Sequence, residues 1–600
     1  MKRSSQVIGS VVLAIAVGSL RPIGMKRIER WIIAFFHIGI LCLGGTSSGI
    51  TIRDDIPPDV SQLYAAGEQY VSAGAISNVG CSGALIHPQW AITAAHCVPG
   101  GSAGKVDFSL GAESSDWDTT VSSDGWIRHP SFTGNTVLVG NDFALVHLKT
   151  PILEVTPVRV YQGVDRIGLE VTVVGYGMGG TGSTGARTPY GIRRAATNMV
   201  STFGAGLGWS KNLLVTDFDN PATSADSQWD PTTPTFLEGA VGVGDSGSAW
   251  YGQFGGKPYL VGITSFRGGA DEASNSDYGD FSVAGRVSLV ADWIRQQGAS
   301  SSFWNGGDGQ WGATGNWYGG SPGAEGAAVI ESGFVQVDEP RQSTGYVLVN
   351  GGTLQLNRGI AARSMVVSGD GVLDIADATA LISLEGDYRQ DGGILRMQVD
   401  GSANGVSYDH FSVGGVAQLG GTLNLLINTT WGGYVDPVAR GGKERVVLLD
   451  AARVEGEFHL VRWNRELLMT GVNYVGSNEF GQDGMFRVVE YSKSLVSVTS
   501  YLARPGDANG DFRVDDADLA VLLRNQARSN LNWNQGDFNG DGVINAVDLS
   551  IWTDNRARSS SSPGMAIVAV PEPVVTSWLA IVMICGMRSL RRSPLIHNRR

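Results

Sequence analysis

Trp90-Ala91-Ile92-Thr93-Ala94-Ala95-His96-Cys97 supplies a histidine, and far downstream Gly244-Asp245-Ser246-Gly247-Ser248 supplies a serine in a glycine-flanked turn. Between them, Asn141-Asp142-Phe143-Ala144-Leu145 offers a carboxylate. Serine is a poor nucleophile at its own pKa, so acyl transfer needs an adjacent base to take its proton and a third group to orient that base. In the order His96, Asp142, Ser246 the three residues match the base, orienter and nucleophile of the known Ser-His-Asp template, from which these roles are taken. Alone, His96 would read as a buried structural histidine; in this company it reads as the base. The glycine at 244 has its own reason. Backbone N–H groups of Gly244 and Ser246 must both face a developing oxyanion, and a side chain there would obstruct the turn.

Around these motifs, residues 50–298 alternate short apolar runs with Gly, Pro and Asn, as in Gly83-Ala84-Leu85-Ile86 and Ala144-Leu145-Val146-His147-Leu148. Strands at that spacing predict a sandwich or barrel. Arg286 to Arg295 carries its apolar residues on one helical face and predicts a closing helix.

With Cys81-Ser82-Gly83-Ala84-Leu85-Ile86, Val174-Gly175-Tyr176-Gly177 and Leu260-Val261-Gly262-Ile263-Thr264-Ser265-Phe266 added, residues 60–298 resemble the chymotrypsin-like (S1) serine peptidases. The resemblance implies a double β-barrel and endopeptidase activity on protein or peptide substrates. It implies His96, Asp142 and Ser246 as catalytic residues, Gly244 and Ser246 as the oxyanion hole, and a disulfide between Cys81 and Cys97. These two are also the only cysteines outside the apolar terminal segments.

Departures from the family pattern bear on specificity. Ser248 replaces the usual last glycine of the serine motif. Gly242 stands where the family usually has a cysteine, so a bridge beside the specificity pocket is absent. The pocket would be formed by Ala240, Ser265, Phe266 and Arg267. Its base near Ala240 carries no charge, so selection of Lys or Arg is not expected. Arg267 takes the place of a wall glycine, where it either narrows the pocket or attracts an acidic side chain; small apolar substrate residues are placed ahead of acidic ones. No Ile-Val-Gly-Gly-like start precedes the first barrel. Asp245 either pairs with a processed amine near Ile50 or Ile52, or the enzyme folds active.

The remaining sequence is modular. Glycine accounts for 84 of 600 residues, which favours β-rich domains with tight turns, and the net charge of -13 argues against a nucleic-acid partner. Residues 1–49 read as a signal segment, with Met25 as a candidate start, and residues 299–302 as a linker. Residues 303–503 carry alternating strands separated by Gly-Gly and Asp-Gly turns, which suits a β-solenoid or a β-sandwich-like spacer resembling the passenger-like repeats of large secreted bacterial proteins. His410 and His459 there read as solvated or structural.

Residues 504–558 hold a duplication. Asp507, Asn509, Asp511, Asp515 and Asp518 stand at positions 1, 3, 5, 9 and 12 of one loop, and Asp537, Asn539, Asp541, Asn545 and Asp548 at those of the other. Backbone carbonyls of Arg513 and Val543 are expected at position 7, the ligand spacing of a calcium loop. Apolar helical segments follow both. The pair resembles a small α-helical type I dockerin, which implies structural Ca2+ and a cohesin partner. After a linker at 559–570, Val570-Pro571-Glu572-Pro573, an apolar run and a basic tail make residues 571–600 resemble a PEP-CTERM sorting signal. That resemblance implies a transmembrane helix, an exosortase-type processing enzyme, and an extracellular or cell-surface location in a Gram-negative bacterium. The rival reading is an inactive peptidase-like scaffold acting through its dockerin and β-rich region.

Overall fold

Six of the apolar runs close into a barrel, in the order Ala73–Ile76, Cys81–His87, Trp90–Thr93, Ala144–Leu148, Thr119–Arg128, Asp107–Leu110. Leu85, Ile92, Phe108 and Leu145 fill it and are wholly buried. The computed structural model describes residues 50–559 except 102, 135–136, 230–233, 270, 272, 340–341, 377–381, 400–407, 427–442, 464–465, 469–471, 476–483, 512, 527, 529–530, 532 and 540–542. The signal segment 1–49, the sorting signal 571–600 with its transmembrane helix, nearly all of the linker before it, and Asp541 lie outside the described residues. Among those described, no helix is long and apolar enough to cross a membrane.

A second curved sheet runs Arg194–Met199, Glu170–Gly175, Ala249–Phe254, Lys257–Gly268, Phe281–Arg286, Leu213–Asp217, Thr202–Phe203. Asn198 Nδ2 donates to the Asp217 carbonyl at 2.6 Å, drawing the two ends of the sheet together into the second barrel. One continuous apolar core spans both barrels. The predicted closing helix forms as a 3-10 turn, Val287–Leu289, followed by the α-helix Ala291–Gln296. The N-terminal strand Thr51–Ile52 is inserted between Gly179–Thr181 and Gly239–Ala240, which anchors the start of the described chain beside the serine motif.

Of the two forms open to residues 303–503, the chain takes the solenoid. Successive coils give one strand to each of two parallel sheets. Val335, Leu354, Leu373, Leu395 and Leu423 are register partners in one of them and are fully buried. On its other face Gln310, Gln336, Gln355, Asp374 and Arg396 form a polar ladder with contacts of 3.2, 2.9, 3.0 and 3.5 Å. A slip of one residue would reverse both faces, so the ladder and the buried leucines fix the same register. Antiparallel strands Lys443–Gly456, Leu495–Ala503 and Gly484–Tyr491 end the stack.

The residues read as a linker do not separate the two parts. Ser301 and Ser302 are buried in the strand Ser301–Trp304, which begins the first solenoid sheet, and Ser301 Oγ donates to the Ile86 carbonyl of the first barrel. An apolar column on that sheet, Phe303, Val329, Leu348 and Val366, is covered by Leu153 of the peptidase region. Arg159, buried between the two, pairs with Glu331 and lies 4.3 Å over the Phe303 ring. Small polar residues resemble a linker in sequence, but here they are the seam of a packed interface.

Candidate active site

Strand pairing brings the first two site residues together. Trp90–Thr93 and Ala144–Leu148 are antiparallel neighbours with Thr93 opposite Ala144, so the end of one strand meets the beginning of the other. His96 follows the first on the 3-10 turn Ala95–Cys97, and Asp142 precedes the second. Asp142 Oδ2 lies 2.7 Å from His96 Nδ1, and Oδ1 accepts the His96 backbone N–H at 3.0 Å. The carboxylate is 1 % exposed and the imidazole 34 %. The carboxylate therefore fixes both the position and the tautomer of the ring.

Ser265, expected to line the specificity pocket, also donates its hydroxyl to Asp142 Oδ2 at 2.7 Å. The strand Lys257–Gly268 shifts register between Thr264 and Phe266, and such a bulge re-aims the side chain it carries.

Ser246 sits in a turn held from three sides. Its carbonyl accepts the Ser82 N–H at 2.8 Å and lies 3.7 Å from Cys97 Sγ. Cys97 is joined to Cys81 across 6.2 Å between Cα atoms, closing a short loop worth about 3 kcal/mol. Gly247 has φ +81°, and a Cβ there would come 2.2 Å from Thr93 Oγ1. Gly244 has φ +93°. The N–H groups of Gly242, Asp245, Gly247 and Ser248 are all spent within the turn and its neighbours. Those of Gly244 and Ser246 have no acceptor among the described residues. Ser248, the departure from the family's glycine, is accommodated by a 2.6 Å contact between its hydroxyl and Thr264 Oγ1.

Asp245 points away from Ser246 into the core. Its carboxylate accepts N–H groups from Gly177 and Gly242, each at 2.8 Å, and from Ile50. Complete burial pushes its pKa up to about 7 against the pull of those donors. Ile50 is itself buried.

The residues expected to form the specificity pocket lie on two strands, Gly239–Ala240 and Lys257–Gly268. Ala240 lies in the strand Gly239–Ala240, paired with Thr51–Ile52. A Cβ on Gly242 would sit 1.9 Å from the Met178 carbonyl, so no cysteine fits that position. The inserted loop after Gly268 is tied to the same segment by Ser276 instead, whose hydroxyl donates to the Val241 carbonyl at 2.7 Å. Arg267 Nη1 donates to Ser276 Oγ at 2.6 Å, while Phe266 turns to Trp209 with ring centroids 5.7 Å apart. Ser276 was not singled out in the sequence; a serine in an insertion carries no signal of this role.

A second candidate site lies in the C-terminal region. Helices Asp516–Asn525 and Ala546–Ser559 follow the two loops around a core containing Leu522, Trp533, Ile551 and Trp552. The loops are built alike. Asp518 accepts N–H groups from Asn509 and Asp515, and Asp548 those from Asn539 and Asn545. Asp507, Asp518, Asp537 and Asp548 are at most 2 % exposed. Burial raises the pKa of Asp518, with Asp515 adding to it. Oxygen-bearing side chains at this spacing suit a hard cation.

The trypsin family signature matches residues 61–294, and the type I dockerin domain signature matches residues 505–553. A collagenase from Hypoderma lineatum is 30 % identical over 227 residues, covering 36 % of this chain and 76 % of that protein. Brachyurin from Leptuca pugilator is 29 % identical over 231 residues, 36 % of this chain and 87 % of its own. Chymotrypsin-like elastase family member 1 from Macaca fascicularis is 26 % identical over 271 residues, covering 43 % and 90 %.

Proposed function

Because this chain belongs to the trypsin family, we propose that it is an exported serine endopeptidase that cleaves peptide bonds by acyl transfer to Ser246. His96 takes the Ser246 proton as the hydroxyl attacks the scissile carbonyl, then delivers it to the departing amine. Asp142 stabilises the imidazolium that forms between those steps. The N–H groups of Gly244 and Ser246 receive the oxyanion. The observation that carries this reading is the double hold of Asp142 on His96, through Nδ1 and the backbone N–H. Labelling the full chain with a fluorophosphonate probe tests it: Ser246 is expected to be modified, and no modification of Ser246 in folded protein would sink the reading.

The hydrogen bond from Ile50 to Asp245 supports processing between Gly49 and Ile50, after which an α-ammonium would replace the backbone N–H as the partner of that carboxylate. N-terminal sequencing of the secreted form is expected to begin at Ile50. Export through residues 1–49, and surface delivery through exosortase processing of residues 571–600, rest on sequence alone.

The dockerin would bind two Ca2+ ions. Asp507, Asn509, Asp511, Asp515, Asp518 and the Arg513 carbonyl would hold one. Asp537, Asn539, Asp541, Asn545, Asp548 and the Val543 carbonyl would hold the other. The ions would offset the mutual repulsion of the buried carboxylates and so order the face offered to a cohesin. Chelation of the full chain is expected to abolish hydrogen-exchange protection of helices Asp516–Asn525 and Ala546–Ser559, with recovery on adding Ca2+. Unaltered protection after chelation would remove calcium from this account.

A further inference from the structure

We propose that Arg267 anchors a substrate carboxylate, making the peptidase selective for an acidic side chain immediately before the scissile bond; this rests on the acyl-transfer reading of the same site. Three observations lead there.

The first is position. Arg267 lies two residues beyond Ser265, whose hydroxyl is on Asp142, and its guanidinium reaches Ser276 Oγ. Ser276 Oγ in turn bonds the carbonyl of Val241, the residue after Ala240 and three before Gly244. The cation therefore stands between the strand that braces the triad and the segment that leads to the nucleophile.

The second is support. Ser276 holds φ +65°, and the only other non-glycine residue with positive φ among those described is Ile50. Its N–H is fixed by Asp280 Oδ2 at 2.6 Å, and its hydroxyl bridges Val241 and Arg267. A side chain held in this sparsely populated conformation by partners on every side is a built support for whatever it carries.

The third is unspent charge. A guanidinium has five N–H donors in a planar fork, and here one is engaged by Ser276. Burial lowers the Arg267 pKa, and Asp280 and Asp245 raise it through space. Among the described residues no carboxylate forms an ion pair with it. A carboxylate entering the pocket would meet the remaining fork bidentately. A small apolar side chain would cover the cation without pairing it, which is penalised. This reverses the ranking drawn from the sequence.

The test uses the full chain and peptides identical except for Glu, Asp, Ala, Leu or Lys before the cleaved bond. The acidic peptides are expected to exceed Ala and Leu in kcat/KM by at least about 100-fold. In Arg267→Gln the ratio of Glu to Ala is expected to collapse toward one, while Arg267→Lys keeps part of it, which a folding defect would not do. Wild-type preference for Ala or Leu, or an unchanged ratio in Arg267→Gln, overturns the proposal. Titrating the same peptides into the Ser246→Ala chain separates the two claims. Tighter binding of the Glu peptide without wild-type cleavage supports the anchor and sinks the catalytic reading. Cleavage with equal binding of all peptides does the opposite.

Discussion

Ser246→Ala is expected to lower kcat about 10^6-fold and Asp142→Asn about 10^4-fold, with the fold of both variants intact. Both magnitudes are those of the Ser-His-Asp template; this chain's geometry supplies the reason to expect them. Ser246→Ala removes the attacking oxygen and leaves only binding and the oxyanion N–H groups. Asp142→Asn is subtler. The carboxylate accepts from His96 N, His96 Nδ1 and Ser265 Oγ. An amide in its place offers one acceptor oxygen and one NH2, and an NH2 facing Nδ1 forces that nitrogen to accept. The proton then moves to Nε2, where His96 can no longer take one from Ser246. Ser265→Ala removes one neutral donor and leaves the tautomer alone, so a loss of about tenfold or less is expected, worth about 1.4 kcal/mol. Single-turnover kinetics on one peptide would compare the three. Equal losses in Asp142→Asn and Ser265→Ala would mean that Asp142 acts by packing and not by orientation.

The pairing of His96 with Asp142 was legible because acyl transfer restricts residue type so severely that order and motif suffice to single the two out. What places His96 beside Asp142 is the pairing of Thr93 with Ala144, which no local pattern announces but which two strands of one barrel supply. The contact of Ser265 with Asp142 was not legible, because the register shift that turns its hydroxyl there has no signature in Thr264-Ser265-Phe266. The solenoid and the sandwich share a two-residue alternation. They differ in whether strands pair in parallel with the coil before, a tertiary fact. Ser301 and Ser302 read as linker because small polar residues are common there, whereas the buried Arg159 and the apolar column beginning at Phe303 require a packed seam. Arg267 was visible as a departure, but its support came from an insertion whose backbone conformation at Ser276 only the fold reveals.

A chain that still carries residues ahead of Ile50 is expected to lose about 3 kcal/mol of peptidase-domain stability between pH 4 and pH 7, a loss that the chain beginning at Ile50 does not show. The pKa of Asp245 rises from 3.8 to about 7 on folding, because complete burial outweighs the backbone N–H groups of Gly242, Gly177 and Ile50 and the through-space pull of Arg194. Between those values the folded state binds more protons than the unfolded state, so stability falls as pH rises, by about 1.4 kcal/mol for each unit of difference. The loss is complete above the folded pKa. Placing an α-ammonium where the Ile50 N–H now sits changes the sign of the local charge balance. The buried carboxylate gains a contacting cation, its pKa falls, and its contribution is retained until the ammonium deprotonates at higher pH. Glu238, buried and raised to about 8, adds a slope of the same direction, but it is common to both forms and cancels in their difference. Denaturant unfolding of the two forms at pH 4, 5.5 and 7 measures that difference, and Asp245→Asn in the longer chain is expected to flatten its profile toward that of the processed chain. Parallel pH profiles for the two forms would show that Asp245 is not the group that senses the new N-terminus.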